Sequence, residues 1–376
     1  MTVEMAEIFH RHGPAYRVKY GASMLPSHRK AMRDIERCRT PELGGHVYSC
    51  ATCEETIYQY HSCRDRHCPK CQNDKAQQWL QKQLDHLPAA RYFMLTFTLP
   101  AELRRVARSH QKLFYHLLFR TSADAVQKLG RDPRFVGGRM GMVSVLHTWG
   151  RNLAYHPHVH CVVPGGGVAK DGTWLPSRAN FLLPVKALSK VFLAKFRDAL
   201  RQRAPAVFAQ IPPQVWQKEW VVHSQPVGNG LRALKYLAPY IFRVAISNRR
   251  IVKLADGKVT FRYRRTDTGK LRICKLPAGE FIRRFLQHVL PKGFVKVRYY
   301  GFLASGSRPQ LVALRQLLGP LAAGDSADST VNNGRERTNE PDSSLGTAVL
   351  CPSCGRPMQR RRIRPGEQCP HGLSPP

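Results

Sequence analysis

The stretch that decides the fold is residues 140–163, which read MGMVSVLHTWGRNLAYHPHVHCVV. Its two hydrophobic runs, 140–149 and 158–163, are rich in β-branched residues and flank a short polar connection. This pattern predicts two antiparallel strands that pair with each other. A further β-type run at 91–99 and the helical periodicity of 101–130 extend the prediction to an α+β fold, an antiparallel sheet flanked by helices.

Two histidines in the second run, His158 and His160, are separated by Val159 alone. Alternate side chains of a strand share a face, so both imidazoles can point at one metal ion while Val159 faces the core. Two strand histidines are also compatible with local hydrogen bonds alone. Further imidazoles nearby, at His147 and His156, favour the metal.

A third protein ligand would complete this metal site. His147 supplies it if the two strands pair side by side, and His223 and Gln225 compete for the position because their strand leads toward the next motif. Three neutral ligands leave positions open on Mg²⁺ or Mn²⁺ for phosphate oxygens. The sequence therefore predicts a catalytic divalent ion.

Two tyrosines, Tyr236 and Tyr240, stand four residues apart, which on a helix places their hydroxyls on one face. The neighbouring cations Lys235 and Arg243, together with the metal, would favour the phenolate that attacks phosphorus. Two core aromatic residues would show the same spacing. Beside a metal site, the pair predicts two nucleophiles for successive transesterifications of a phosphodiester.

The composition indicates a polyanionic partner. The chain has 376 residues with 60 Lys and Arg against 25 Asp and Glu, a formal net charge of +35. Nucleic acid is the usual partner of such a protein. No apolar run approaches the about 18 residues of a membrane span, and the first fifteen residues lack the apolar stretch of a signal peptide. We expect a cytoplasmic protein that binds DNA and no membrane.

The eleven cysteines favour metal binding over a disulfide framework, because their number is odd and no export signal is present. The first group has the paired Cys-x2-Cys spacing of a zinc ribbon, with predicted zinc ligands Cys50, Cys53, Cys68 and Cys71. A second metal knuckle, with a frayed tail as the alternative, is predicted from Cys351, Cys354, Cys369 and His371. Cys63, His61 and His67 are surplus ligands inside the ribbon; one of them could replace a cysteine of the set, but the paired spacing favours the four cysteines. Cys38 is interpreted as an ordinary thiol.

Basic residues are concentrated on the ribbon and after the tyrosines. Between 249 and 298, fifteen Lys and Arg stand against three acidic residues, and 258–264 alternates as a strand with its basic residues on one face. Such a row of basic residues suits contacts with successive phosphates of a DNA strand. The alternative is an ordinary sheet whose charged side chains are only solvated. The predicted DNA contacts are Arg64, Arg66, Lys235, Arg243, Arg249, Arg250, Arg262 and Arg264.

Several motifs occur together and in the order found in one known family. After the ribbon they are Leu146-His-Thr-Trp-Gly150, His156-Pro-His-Val-His160, Gly165-Gly-Gly167, Tyr236-Leu-Ala-Pro-Tyr240, Arg243-Val-Ala-Ile-Ser-Asn248, His288-Val-Leu-Pro-Lys-Gly-Phe-Val-Lys-Val-Arg298 and Tyr300-Gly-Phe302. Over about residues 20 to 305 the chain resembles the rolling-circle insertion-sequence transposases of the IS91 type, which are two-tyrosine HUH endonucleases.

The resemblance implies an HUH-type sheet and an enzyme that nicks one strand at an element end through a 5′-phosphotyrosine link. Carried over, His158 and His160 are metal ligands, and Tyr236 and Tyr240 are nucleophiles. The similar spacing of three histidines in conjugative relaxases supports His147. The implied partners are single-stranded DNA at the element ends, target DNA and, since no Walker A motif is present, a helicase of the bacterial host.

The expected organisation has five parts. In chain order they are a helical and zinc-ribbon DNA-binding domain at 1–87, an HUH endonuclease domain at 88–248, a basic DNA-binding part at 249–320, a flexible linker at 321–347 and a small metal-binding tail at 348–376. Two other functions stay open. A plasmid rolling-circle replication initiator or relaxase would perform the same chemistry at a plasmid origin, and a zinc-ribbon DNA-binding protein would lack catalysis.

Overall fold

The computed structural model describes residues 3–71, 87–232, 234–235, 241, 245–265, 268–319 and 348–367. The strands are β1 (Gly45–Ser49), β2 (Thr56–Tyr60), β3 (Arg91–Thr98), β4 (Arg139–Met140), β5 (Met142–Trp149), β6 (Tyr155–Pro164), β7 (Gly166–Val168), β8 (Trp174–Pro176), β9 (Val222–Asn229), β10 (Ile251–Ala255), β11 (Lys258–Arg264), β12 (Leu271–Pro277), β13 (Val297–Tyr300) and β14 (Gln359–Ile363). The helices are α1 (Met5–Tyr20), α2 (Pro26–Glu36), α3 (Arg104–Ser109), α4 (Gln111–Gly130), α5 (Val185–Arg203), α6 (Pro205–Phe208), α7 (Ala278–Leu286) and α8 (Arg308–Leu318). The expected linker lies outside the described residues.

A five-stranded antiparallel sheet forms the centre of the molecule, in the spatial order β13-β5-β6-β3-β9. The predicted pairing within 140–163 is confirmed, with His147 directly opposite His158. Strand β13 comes from the basic part expected at 249–320, yet it forms the edge of this sheet beside β5. The predicted α+β class, an antiparallel sheet flanked by helices, is confirmed.

The two faces of the central sheet have different neighbours. One face packs against α4 and α5, and its buried side chains include Phe97 and Val159. The opposite face packs against α8 through Val145 and other apolar residues. Because side chains alternate along a strand, burying Val159 under the helices turns the two histidines beside it to the opposite face.

A second core joins the N-terminal helices to the basic region. The β10-β11-β12 sheet and α7 pack against α1 and α2, with the rings of Phe9 and Phe285 in edge contact at 5.6 Å between centroids. The prediction for β11 is confirmed, since Val259 and Phe261 are buried while Arg262 on the other face is exposed. This core therefore buries the apolar face of the basic sheet and leaves its charged face outside.

A third sheet is built from both ends of the chain. Its order is β14-β1-β2, all antiparallel, so the C-terminal strand extends the N-terminal hairpin. In the described part of the chain, no helix is both long enough and apolar enough to cross a membrane.

The contact of β13 with the central sheet depends on Gly301, within the Tyr300-Gly-Phe302 motif. Gly301 has a φ of 64°, in the left-handed region, and a Cβ atom there would lie 1.6 Å from the carbonyl oxygen of Met140. The obstacle is the backbone of β4, the short strand just before β5, which cannot move aside as a side chain would.

We expect Gly301→Ala to lower the free energy of unfolding by at least about 2–4 kcal/mol, because left-handed strain and overpacking add. Gly257→Ala is the matched control: its φ is 66°, but a Cβ there meets nothing within 4 Å. That control should lose only about 1–2 kcal/mol from the strain. Urea unfolding followed by circular dichroism measures both, and equal losses would contradict the close approach at Gly301.

Candidate functional site

Three buried histidines converge on the face of the central sheet opposite α4 and α5. Their ligand atoms all lie within 4.8 Å of one another. His158 Nε2 is 3.2 Å from His147 Nδ1 and 3.1 Å from His160 Nε2. Adjacent ligands at right angles around an ion with bonds of about 2.1 Å would be about 3.0 Å apart. The spacing of the three nitrogens therefore fits one metal ion.

Hydrogen bonds orient the two histidines of β6. Nδ1 of His158 donates to the carbonyl oxygen of His156 at 2.6 Å, which leaves the lone pair of the neutral ring on Nε2. Nδ1 of His160 lies 3.2 Å from Thr96 Oγ1 on the neighbouring strand. Such partners hold imidazoles in the tautomer that presents Nε2 to a metal.

Burial keeps these imidazoles neutral. Loss of solvation, and then the proximity of the other histidines, lowers the pKa of His147 and of His158 well below the ordinary histidine value. Burial lowers the pKa of His160 to about 4. Neutral imidazole is the form that binds metal, so at neutral pH the cluster needs no deprotonation to do so.

The structure brings His147 into the cluster and leaves both competing ligands outside it. His223 and Gln225 lie on β9, which β3 separates from β6; Thr96 is paired with His160 on one side and with His223 on the other. Neighbouring strands are about 4.8 Å apart, so two strand spacings separate His223 from His160. His156 is not a member of the group either: its ring lies 5.1 Å from that of His158 between centroids, but its Nδ1 contacts Arg104 Nη2 at 2.8 Å.

Trp149 and Lys296 border the cluster. The Trp149 ring lies 3.9 Å from the His147 ring between centroids, and the Lys296 ammonium lies 5.0 Å from the Trp149 ring centroid. Lys296 Nζ also donates to the carbonyl oxygen of Ile241 at 3.1 Å. Burial, reinforced by the Arg66 guanidinium, lowers the pKa of Lys296 to about 7.

Lys296 is a candidate functional residue that the sequence interpretation missed. It stands just before β13, and its carbonyl accepts a hydrogen bond from the backbone N–H of Leu146, one residue before His147. In the sequence it is one of fifteen basic residues between 249 and 298. The feature of the sequence that could have indicated Lys296 is its position inside the 288–298 motif, just before the edge strand β13.

The predicted nucleophiles Tyr236 and Tyr240 lie outside the described residues, as does Arg243. Lys235, immediately before Tyr236, is described and exposed. Their assignment therefore stays a prediction.

The structure does not bring together the four cysteines predicted to form one ribbon. One group of four thiols consists of Cys38, Cys63, Cys68 and Cys71, and the other of Cys50, Cys53, Cys351 and Cys354. The physical reason is the β1–β2 hairpin. Cys50 and Cys53 lie at its turn, whereas the other group flanks its open end, about 17 Å away for five-residue strands. The predicted ligand set is corrected accordingly.

The structure also revises the interpretation of the cysteines that were left out of the ribbon or assigned to the C-terminal knuckle. Cys38 is not an isolated thiol, since its sulfur is 3.4 Å from that of Cys71. Cys63 is not surplus, since it is 3.6 Å from the same sulfur. The predicted C-terminal knuckle is corrected as well, because Cys351 and Cys354 join the N-terminal hairpin. Its other predicted ligands, Cys369 and His371, lie outside the described residues.

The predicted DNA contacts occupy different settings. Arg64 and Arg66 are both exposed. Arg66 also donates to the carbonyl oxygen of Phe294 at 2.7 Å, which ties the cysteine loop to the rest of the molecule. On the basic sheet, Arg262 and Arg264 are exposed. Arg249 is exposed and Arg250 half-buried at the start of the same sheet.

Comparisons with known proteins agree with this architecture. Residues 8–99 match the family described as "Transposase zinc-binding domain", and residues 141–310 match the family described as "Putative transposase". The "Putative transposase y4qJ" of Sinorhizobium fredii is 40% identical over 374 residues, covering 93% of this chain and 92% of the relative. The "Transposase for insertion sequence element IS801" of Pseudomonas savastanoi pv. phaseolicola is 29% identical over 301 residues, covering 73% and 72%. No solved structure matches the chain significantly.

The two family matches contain one of the cysteine groups and the histidine cluster. The zinc-binding match contains the group formed by Cys38, Cys63, Cys68 and Cys71, and the second match contains the three histidines. The cysteine groups suit structural zinc, as expected for such a domain. From the extent of the matches and the names of both relatives, the chain belongs to the transposases of the IS91 type.

Proposed function

We propose that this transposase nicks and rejoins single-stranded DNA at the ends of its mobile element by metal-assisted transesterification, with Tyr236 and Tyr240 as nucleophiles. The observation that carries the proposal is the cluster of His147, His158 and His160, three buried neutral imidazoles with their nitrogens spaced for one ion. A transposase that only binds DNA has no use for such a site.

The donor set fits a divalent ion with open positions. Three imidazoles from two adjacent strands occupy one side of the ion and leave the remaining positions to phosphate oxygens and water. Imidazole is a better ligand for Mn²⁺ than for Mg²⁺, which prefers oxygen, so of the two expected ions we favour Mn²⁺. When bound, the ion would polarise the scissile phosphate and offset the charge that develops on it.

The covalent step exchanges one phosphodiester for another. The tyrosine phenolate forms a bond to phosphorus, the bond from phosphorus to the 3′ oxygen breaks, and the proton lost by the phenol is balanced by the one taken up at the new 3′ hydroxyl. The strand remains linked through its 5′ phosphate to the tyrosine. A later attack by a 3′ hydroxyl on that link reverses the exchange, so rejoining needs no ATP.

A chain of contacts supports the placement of the nucleophiles at this site. Ile241 directly follows Tyr240 in the sequence, is buried, and accepts the hydrogen bond from Lys296 Nζ. The same amine lies over Trp149, whose ring is in tilted contact with that of His147. We infer that Lys296 is a positioning residue, which holds the end of the tyrosine segment at the histidine cluster.

We propose that the strand follows the basic sheet toward the histidines. The exposed face of β11 carries Arg262 and Arg264, and Arg151, in the turn between β5 and β6, contacts the carbonyl oxygen of Arg264 at 3.3 Å. That turn joins the two strands that hold the histidines, so the basic face and the site adjoin. Single-stranded DNA at the element ends and target DNA are the proposed substrates, and a host helicase would supply the single strand.

Two measurements distinguish a transposase from the alternatives, a plasmid initiator and a DNA-binding protein without catalysis: which DNA sequence is cut, and whether any DNA is cut. A plasmid initiator would prefer a plasmid origin over an element end, whereas both named relatives are transposases. A protein that only binds DNA would show no nicking in any condition.

We expect the Tyr236→Phe, Tyr240→Phe double variant to lose nicking of a single-stranded element-end oligonucleotide by at least about a thousandfold, because no phenol remains to attack. Binding of the oligonucleotide should persist, since the basic sheet is untouched. Tyr20→Phe, an exposed tyrosine at the end of α1, is the control and should nick normally. Undiminished nicking by the double variant would rule out the tyrosine mechanism.

Replacing His160 by Ala is expected to weaken Mn²⁺ binding by more than about 100-fold. Removing a group that is only hydrogen-bonded to a metal ligand already lowers metal affinity by about 10- to 100-fold, and His160 is itself a proposed ligand. Nicking should fall with it. His223→Ala is the control, because His223 lies on the same face of the sheet but outside the cluster. Titration calorimetry with Mn²⁺ measures both, and equal affinities in the two variants would contradict the assigned ligands.

Lys296→Met keeps the aliphatic stem but removes the hydrogen bond to Ile241. With a pKa of about 7, Lys296 is partly charged at neutral pH, and a bond from such a donor is worth about 1–3 kcal/mol, so we expect nicking to slow by about 5- to 100-fold. Affinities for Mn²⁺ and for the oligonucleotide should stay unchanged. Lys292→Met, at an exposed lysine in the same segment, should nick normally. A nicking rate unaffected by Lys296→Met would refute the positioning role.

A further inference from the structure

We infer that Cys50, Cys53, Cys351 and Cys354 hold one zinc ion that joins the two ends of the chain. The family match for zinc binding ends at residue 99, so it assigns no role to the C-terminal pair. The inference is independent of the proposed nicking mechanism. It rests on the positions of the four sulfurs, the backbone of the two loops that carry them and the strands around them.

The sulfur positions suit a tetrahedral ion. Cys50 Sγ is 3.5 Å from Cys354 Sγ, and Cys53 Sγ is 3.4 Å from Cys351 Sγ and 3.7 Å from Cys354 Sγ. Tetrahedral zinc with bonds of about 2.3 Å places its sulfur ligands about 3.8 Å apart. The contacts cross between the two loops, so neither pair can complete a site alone.

The two loops have the same backbone conformation. In the first, Cys50 accepts a hydrogen bond from the N–H of Glu54 at 3.2 Å and donates its own N–H to the carbonyl of Glu55 at 2.9 Å. In the second, Cys351 accepts from Gly355 and donates to Arg356, both at 2.8 Å.

The residue after the second cysteine is left-handed in each loop, at φ 58° for Glu54 and 70° for Gly355. A non-glycine residue rarely adopts this conformation without a constraint that holds it. The backbone N–H groups of Thr52 and Cys53 also donate to the Cys50 sulfur, and that of Arg356 donates to the Cys354 sulfur. Such bonds stabilise thiolates, the form that binds zinc. Two copies of one knuckle facing each other form the two halves of a zinc ribbon.

The surrounding strands align the two halves. Strand β14 pairs with β1 over five residues, from Gly45 opposite Ile363 to Ser49 opposite Gln359. A small apolar cluster lies beneath the sulfurs, and its buried members are Tyr48, Cys50, Cys351 and Met358. Arg356 Nη1 also donates to Thr52 Oγ1 of the opposite loop at 3.1 Å.

These contacts alone are too weak to hold the C-terminal segment. Strand β14 is short, four of its five residues are exposed, and three of them are consecutive arginines, Arg360, Arg361 and Arg362. Exposed polar contacts contribute at most about 1 kcal/mol each, whereas ordering each residue costs about 1–2 kcal/mol. Four zinc–thiolate bonds offset that cost, as in small domains that fold only with metal.

The site is separate from the group at the open end of the hairpin. Cys38, Cys63, Cys68 and Cys71 form their own set of four, so the hairpin has a thiol cluster at each end. Loss of one ion should therefore leave the other in place. The shared ion would also hold β14 beside β1. In that position Arg360 contacts His46, with Nη2 2.5 Å from the imidazole Nε2.

The test is the zinc content of the purified full chain, measured by plasma mass spectrometry as the difference between variants. We expect Cys351→Ser, Cys354→Ser to lose one zinc per chain, and Cys50→Ser, Cys53→Ser to lose one as well. The variant with all four substitutions should again lose one, because the two pairs share an ion. Cys274→Ser, outside both groups, should lose none.

Two results would overturn the shared site: no loss of zinc on changing Cys351 and Cys354, or the loss of two ions in the four-fold variant.

A second measurement tests the same inference if a cysteine variant fails to fold. A protease site is inserted at about residue 333 of the full chain, and the chain is cut there. We expect the C-terminal fragment to remain bound through gel filtration and to separate when Cys50 and Cys53 are serine. Separation of the fragment from unsubstituted, zinc-loaded protein would contradict the inference.

Discussion

The antiparallel pairing of β5 with β6 is the constraint on which the cluster of three histidines depends. It sets His147 opposite His158, and the two-residue period of a strand brings His160 to the same face. The register is held by burial of Val159 under α4 and α5. A slip by one residue would turn the histidines into that core, so hydrophobic burial on one face of the sheet positions the three histidines on the other.

Residues distant in sequence complete the surroundings of the histidines. Thr96 comes from β3, and Lys296 from the residue before β13, where its carbonyl bonds to the backbone beside His147. Gly301 lets the chain after β13 pass close to Met140. The motifs near residues 288–302 are therefore joined to the histidine cluster through the edge of the central sheet.

The sequence was sufficient for features set by local periodicity. The β5–β6 pair and the shared face of His158 and His160 follow from alternation within one hairpin. The cysteines were mispaired because a Cys-x2-Cys motif predicts a knuckle but not its partner. That partner is decided by β14, which returns from the far end of the chain to pair with β1. Lys296 was missed because its burial depends on tertiary packing, and in the sequence it resembles the exposed basic residues around it.

In the proposed reaction, the oxygen of one of two tyrosines, beside a three-histidine metal site, becomes bonded to the 5′ phosphate of the cut DNA strand. The most direct measurement is to incubate the full chain with Mn²⁺ and an element-end oligonucleotide, digest the products and locate the nucleotide-bearing peptide by mass spectrometry. We expect a 5′-phosphate ester on the oxygen of Tyr236 or Tyr240, absent when Mn²⁺ is withheld. Cleaved DNA with no protein adduct, or an adduct on any other residue, would contradict it.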